Sequence, residues 1–111
     1  MYKKIIVDGN EMELAANAAT PFRFKQTFHK DLLAVFANEK RAEEEGIEVV
    51  SELAYIMNKQ AEKADMNKLS FEDFIEWLEK FEPMAFVDAS EEIISAYTES
   101  SVSMSTPSET P

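Results

Sequence analysis

A single histidine, two glycines and no cysteine leave this 111-residue chain few routes to reaction chemistry. His29 would act as a general base only with a carboxylate to orient it and a nucleophile beside it, and its polar neighbours are only Thr27, Lys30 and Asp31. Without Cys there is no thiolate, no disulfide and no cysteine zinc cluster. Gly9 and Gly46 cannot assemble a glycine-rich phosphate cradle. Carboxylates are plentiful, yet they alternate with apolar residues along short helices, which is the pattern of solvated faces rather than of an acid pair in a cleft. The sequence therefore predicts no enzyme, no cofactor and no metal.

Two local patterns come nearest to a binding site. The run Leu69-Ser70-Phe71-Glu72-Asp73-Phe74 looks like the end of a calcium loop entering its exit helix. In that register Glu62, Ala64 and Met66 occupy the first, third and fifth loop positions, and Asn67 stands where the sharp turn wants Gly. Two of those three offer no side-chain oxygen, so only a helix start survives. Phe22-Arg23-Phe24-Lys25 interleaves aromatic rings with cations, as a platform for single-stranded nucleic acid would. A helix start and a core account for the same residues.

Charge argues further against nucleic acid. The chain holds 22 Asp and Glu against 11 Lys and Arg, a net of −11, which opposes binding to nucleic acid or to an anionic membrane. Residues 1–30 carry five bases against three acids, whereas residues 31–99 carry 18 acids against six bases. That contrast would let one copy dock on another. No apolar run approaches the roughly 20 residues of a membrane span, and the Met-Tyr-Lys-Lys start lacks an apolar signal region, so a soluble cytoplasmic protein is expected.

The elements that position these residues follow from spacing. Tyr2 to Val7 reads as a strand, Asp8-Gly9 as a tight hairpin turn, and Met12 and Leu14 alternate on the return strand. Two strands are marginal alone, so their apolar face must rest on helices. Thr20 is expected to cap a helix with Pro21 at its first position, and Phe24, Phe28, Leu32, Val35 and Phe36 recur at helical spacing. His29 and Asp31 in its middle leave open whether the stripe is one helix or breaks into two. Gly46 reads as a helix stop after a polar stretch. From Ile47 to Asp65 two apolar stripes cover about half the circumference, more than the ~100° that faces one core. That helix is either central or keeps surface for a partner.

Ser70 with Asp73 resembles a capping box, and Leu69 with Phe74 a hydrophobic staple. The helix they begin is expected to bury Phe71, Phe74, Ile75, Leu78 and Phe81, to hold Trp77 at the flank, and to end at Pro83. Asp88 with Glu91 caps a short last helix carrying Ile93, Ile94 and Tyr97. From Glu99 onward the Ser/Thr/Pro-rich tail has too little apolar surface to order itself. The fold class is thus α+β, mainly α: a short N-terminal β-hairpin, four or five helices over residues 1–98, and a disordered tail over 99–111. Most Met and aromatic residues belong to the core. Tyr55, on the polar side of its helix, and Trp77, at an arc edge, sit where amphipathic rings serve interfaces. Together with Ile56 and Phe86 they are the partner-contact candidates.

Three runs carry a family resemblance: Ala19-Thr20-Pro21-Phe22-Arg23-Phe24-Lys25-Gln26-Thr27-Phe28 with Lys30-Asp31-Leu32-Leu33, then Ala54-Tyr55-Ile56-Met57-Asn58-Lys59-Gln60-Ala61, then Phe71-Glu72-Asp73-Phe74-Ile75-Glu76-Trp77-Leu78. Their order and character, over about residues 2–97, resemble the small tail assembly chaperones of long-tailed bacteriophages and prophages of Gram-positive bacteria. The resemblance implies a helical protein that coats the long tape measure protein until major tail (tube) protein polymerises around it. It further implies action in the host bacterial cytoplasm, absence from the mature virion, and, in many members, a longer frameshifted form that recruits tube protein. His29 departs from the pattern, because a small helix-breaking residue is expected there. Self-association into a homo-oligomer would suit many weak copies binding one client through avidity. Two other readings fit the composition: a small acidic DNA-mimic or regulatory inhibitor of phage origin, and an ordinary homodimer closed by the extra apolar arc. Against the DNA mimic, the acids are interleaved with Lys40, Lys59, Lys63, Lys68 and Lys80.

Overall fold

A computed structural model describes the backbone of residues 2–105 and the side chains of residues 2–99. The chain opens with strands β1 (Tyr2–Val7) and β2 (Asn10–Ala15), paired antiparallel with Val7 opposite Asn10 and Ile5 opposite Met12. Asp8 and Gly9 both take positive φ, 55° and 80°, which matches the turn's twist to that of the strands. Ile5, Val7, Met12 and Leu14 are buried on one face.

Six α-helices follow among the described residues: α1 (Thr20–Phe28), α2 (Leu32–Ala37), α3 (Glu39–Ala61), α4 (Phe71–Leu78), α5 (Ala85–Asp88) and α6 (Ser90–Ser105). The architecture is α+β and mainly α, with two more breaks in the helical chain than the shortest count expected. The tail expected from Glu99 lies, after that residue, outside the described side chains, and residues 106–111 lie outside the described chain altogether. No described helix is long and apolar enough to cross a membrane.

The break between α1 and α2 falls at His29, whose φ of 59° turns the chain without help from Gly. Asp31 then caps α2 by accepting from the Ala34 amide at 3.1 Å. Thr20 is a correction. It is the first residue of α1 rather than its cap; its hydroxyl accepts from the Asn17 amide and donates to Gln60 Oε1, tying the start of α1 to α3. Pro21 does stand in the first turn.

Gly46 does not stop a helix. Asn38 caps α3 through the Arg41 amide at 3.1 Å, and the polar stretch that follows is already helical, with Arg41 and Glu45 paired one turn apart. Strong helix formers on both sides of a Gly outweigh its roughly 1 kcal/mol penalty. Residues 49–58 are all buried, so α3 is the central element, packed on by the hairpin, α1, α2, α4 and α6. The broad apolar arc is spent on the protein's own interior.

Helix α4 begins as expected, with Ser70 Oγ accepting from the Asp73 amide at 3.1 Å, but it ends at Leu78, well before Pro83. Its roll also differs from the expected arc. Phe74 and Trp77 are buried, Leu78 and Phe81 half-buried, and Phe71 and Ile75 exposed. The indole has more area to bury than Phe71, and its Nε1 finds a buried acceptor in Asn58 Oδ1 at 3.3 Å. Asp88 closes α5 rather than capping α6, and Ile93 and Ala96 carry the buried face of α6.

Candidate functional site

The four partner-contact candidates are all interior. Tyr55, Ile56, Trp77 and Phe86 are each less than a tenth exposed, which corrects their reading as surface residues. Tyr55 meets Phe74 and Trp77 edge-on, with ring centroids 5.3 Å away in both cases, and Trp77 lies 5.4 Å from Phe86. Helical geometry put Tyr55 on the polar side of α3 alone, but α4 packs on that side and encloses it. The Tyr55 hydroxyl is buried without a hydrogen-bond partner. Burial first, then the Asp73 and Glu62 charges, push its pKa up to about 12, so it keeps its proton at neutral pH.

The apolar surface left over lies elsewhere. Phe22 on α1 is 73% exposed, Phe71 on α4 58%, and Leu33 on α2 58%. Of the large apolar residues in the segment Ile47 to Ala64, only Ile47 is among the exposed ones. Phe71 stands at the rim of a groove of about 490 Å³ between the end of α1, α3 and the start of α4, with Phe28, Leu69 and Thr27 among its walls.

At one end of this groove lies a charge cluster. Lys30, just past the His29 turn, donates to Glu48 Oε1 at 2.5 Å and to both oxygens of Glu52 at 3.0 and 3.1 Å. Glu52 is only 1% exposed. Burial raises its pKa, the Lys30 hydrogen bond and charge oppose that, and Glu48 and Glu45 add to the rise. For Lys30, burial pulls downward, but the hydrogen bonds and charges of Glu48 and Glu52 outweigh it and the pKa ends raised. One cation thus serves two carboxyl groups. Sequence reasoning missed this cluster, although Glu52 sits between Val49, Leu53 and Ile56 on an apolar stripe of α3 and so had to be buried and paired.

Other candidates are dispersed. His29 lines the same groove, together with Thr27 and Ser70. In the Phe22–Lys25 run, Phe24 is buried and Arg23 is engaged with Gln26 and Asn67, so a single ring faces out. Asp65 is occupied capping the Asn67 amide. Among the described residues no group of three His, Asp or Glu converges as a metal site would require. No family model, curated protein or solved structure matches this chain.

Proposed function

We propose that this protein is a phage tail assembly chaperone, which binds the tape measure protein, keeps it soluble in the host bacterial cytoplasm and helps recruit tail tube subunits. Support comes from the resemblance of three runs to that family and from the mainly helical body opened by a hairpin. The observation that carries the reading is the exposed ring of Phe71 beside a groove that Phe28, Leu69, Glu48 and Glu52 also line. A long helical client presents apolar stripes that aggregate when bare. Phe71, Phe22 and Leu33 offer apolar cover, while a net charge of −11 keeps the coated assembly dispersed. Each contact is small, so a long client holds many copies by avidity.

The test is co-expression with the tape measure protein encoded by the same genome. The wild-type chain is expected to move the client into the soluble fraction. Phe22→Ser with Phe71→Ser is expected to retain the wild-type circular dichroism spectrum and to lose most of that effect. A client equally insoluble with and without the wild-type chain overturns the reading, as does a double variant that solubilises it fully. A gene position between those for the major tail protein and the tape measure would support it independently.

A further inference from the structure

The two helices that wall the groove carry opposite charge. Residues 16–30 hold three bases and no acid, against 18 acids and six bases in residues 31–99. Lys30 is spent on Glu48 and Glu52. Arg23 donates to Gln26 and Asn67, and neither it nor Lys25 is paired with a carboxylate among the described residues. Phe22 has Lys25 and Gln26 three and four residues on, all exposed, so the three share one face of α1, and Gln26 also lines the groove. Across it, Phe71, Ile75 and Glu79 recur every fourth residue as an exposed ridge along α4 and its end, flanked by Glu72 and Glu76. None of these three glutamates is paired with a cation among the described residues. The two ridges adjoin: the Phe28 and Phe74 rings lie 4.9 Å apart, and Arg23 and Gln26 reach Asn67, just ahead of α4.

We propose that this face is the contact surface of a weak two-fold homodimer, in which α1 of each copy lies across α4 of the other. An isologous contact needs a self-complementary surface. Here one ridge offers Phe22 with unpaired cations and the other Phe71 and Ile75 with unpaired carboxylates. A two-fold axis through the groove brings each ridge onto its opposite, Phe22 against the Phe71–Ile75 edge and Arg23 and Lys25 against the acids. A single partner helix of one charge would suit only one side. Charge also selects this approach over others, because the rest of each body is strongly acidic and two such bodies repel. Few exposed apolar groups meet, so the dimer is expected to dissociate at about 10–100 µM.

The contact needs no client. Only its consequence, that a client must displace the second copy to reach Phe22 and Phe71, rests on the chaperone reading.

Sedimentation equilibrium on the full chain from ~10 µM to ~1 mM, in ~0.1 M salt to screen repulsion between parts more than about 10 Å apart, is the test. The expected result is a monomer–dimer equilibrium. Lys25→Glu and Glu79→Lys should each weaken the dimer at least fivefold, and the two combined in one chain should restore most of the wild-type affinity, which general damage to the fold would not do. Phe22→Ser, which leaves every charge in place, should weaken it as well. All three side chains are exposed, so thermal melting of the monomer should be unchanged; should a charge variant melt early, Phe22→Ser decides. A monomer at ~1 mM overturns the proposal, as does a dimer that the single reversals leave intact or that the combined variant fails to restore. A monomeric chain that still solubilises the tape measure protein would sink this contact and leave the chaperone reading standing; a dimer that solubilises nothing would do the reverse.

Discussion

Glu52 is buried on a side of its helix that is otherwise apolar, and its raised pKa means that the fold disfavours the ionised carboxylate. A carboxyl whose pKa is higher in the folded state contributes stability that is complete below its unfolded value and is lost as pH rises through the folded one. Glu52→Gln should therefore melt roughly 1–3 °C above the parent at pH 7.5, with the gap closing near pH 4. Lys30 keeps Glu48 as partner in that variant, so no cation is orphaned. Tyr55→Phe removes a buried hydroxyl that has no partner and should leave stability unchanged or raise it by up to about 1 kcal/mol in urea unfolding. Both residues were legible from spacing as helical positions, but not in their environments. Tyr55 seemed outward because α3 was read alone, and the face that buries it belongs to α4.

Elements with strong local signals were readable from sequence. The Asp8-Gly9 turn and the Ser70 cap rest on backbone and short-range hydrogen-bond chemistry that a few residues specify, whereas the break at His29, which the sequence left open, is set by a φ of 59° on a residue other than Gly. Gly46 was misread because Gly marks a helix end only where φ is positive, and here the helix runs through it. Gly46→Ala should consequently stabilise the protein by about 1 kcal/mol, since a Cβ there meets nothing within 4 Å. A loss of stability in thermal melts would mean that α3 stops at that residue after all. The roll of α4 was unreadable for a different reason. Which of Phe71 and Trp77 turns inward depends on Asn58, nineteen residues earlier than Trp77, which supplies the acceptor for the indole.

For the whole molecule, charge and exposed apolar area act together. A net of −11 on 111 residues opposes compaction as well as self-association, and salt screens it. Raising sodium chloride from ~10 to ~200 mM should lift Tm by roughly 2–5 °C, opposite to the behaviour of a protein held by surface ion pairs. The surplus apolar surface was anticipated, but on α3; the structure uses that helix as its own centre and leaves Phe22, Leu33 and Phe71 outside. Periodicity measures how much apolar arc a helix has, and cannot count how many neighbours will consume it.

The link between Lys3 and Glu99 joins positions 96 residues apart in the chain. Strand β1 leaves the ribosome early, yet Ile93 and Ala96, buried on the helix that carries Glu99, are made some 5–20 s later at ordinary elongation rates of about 5–20 residues/s. Through that interval a nascent hairpin waits with an unfinished seat, and native closure cannot precede the synthesis of Ile93 and Ala96. A stalled chain released before residue 93 should then be a ready substrate for protease, however well its turn has formed.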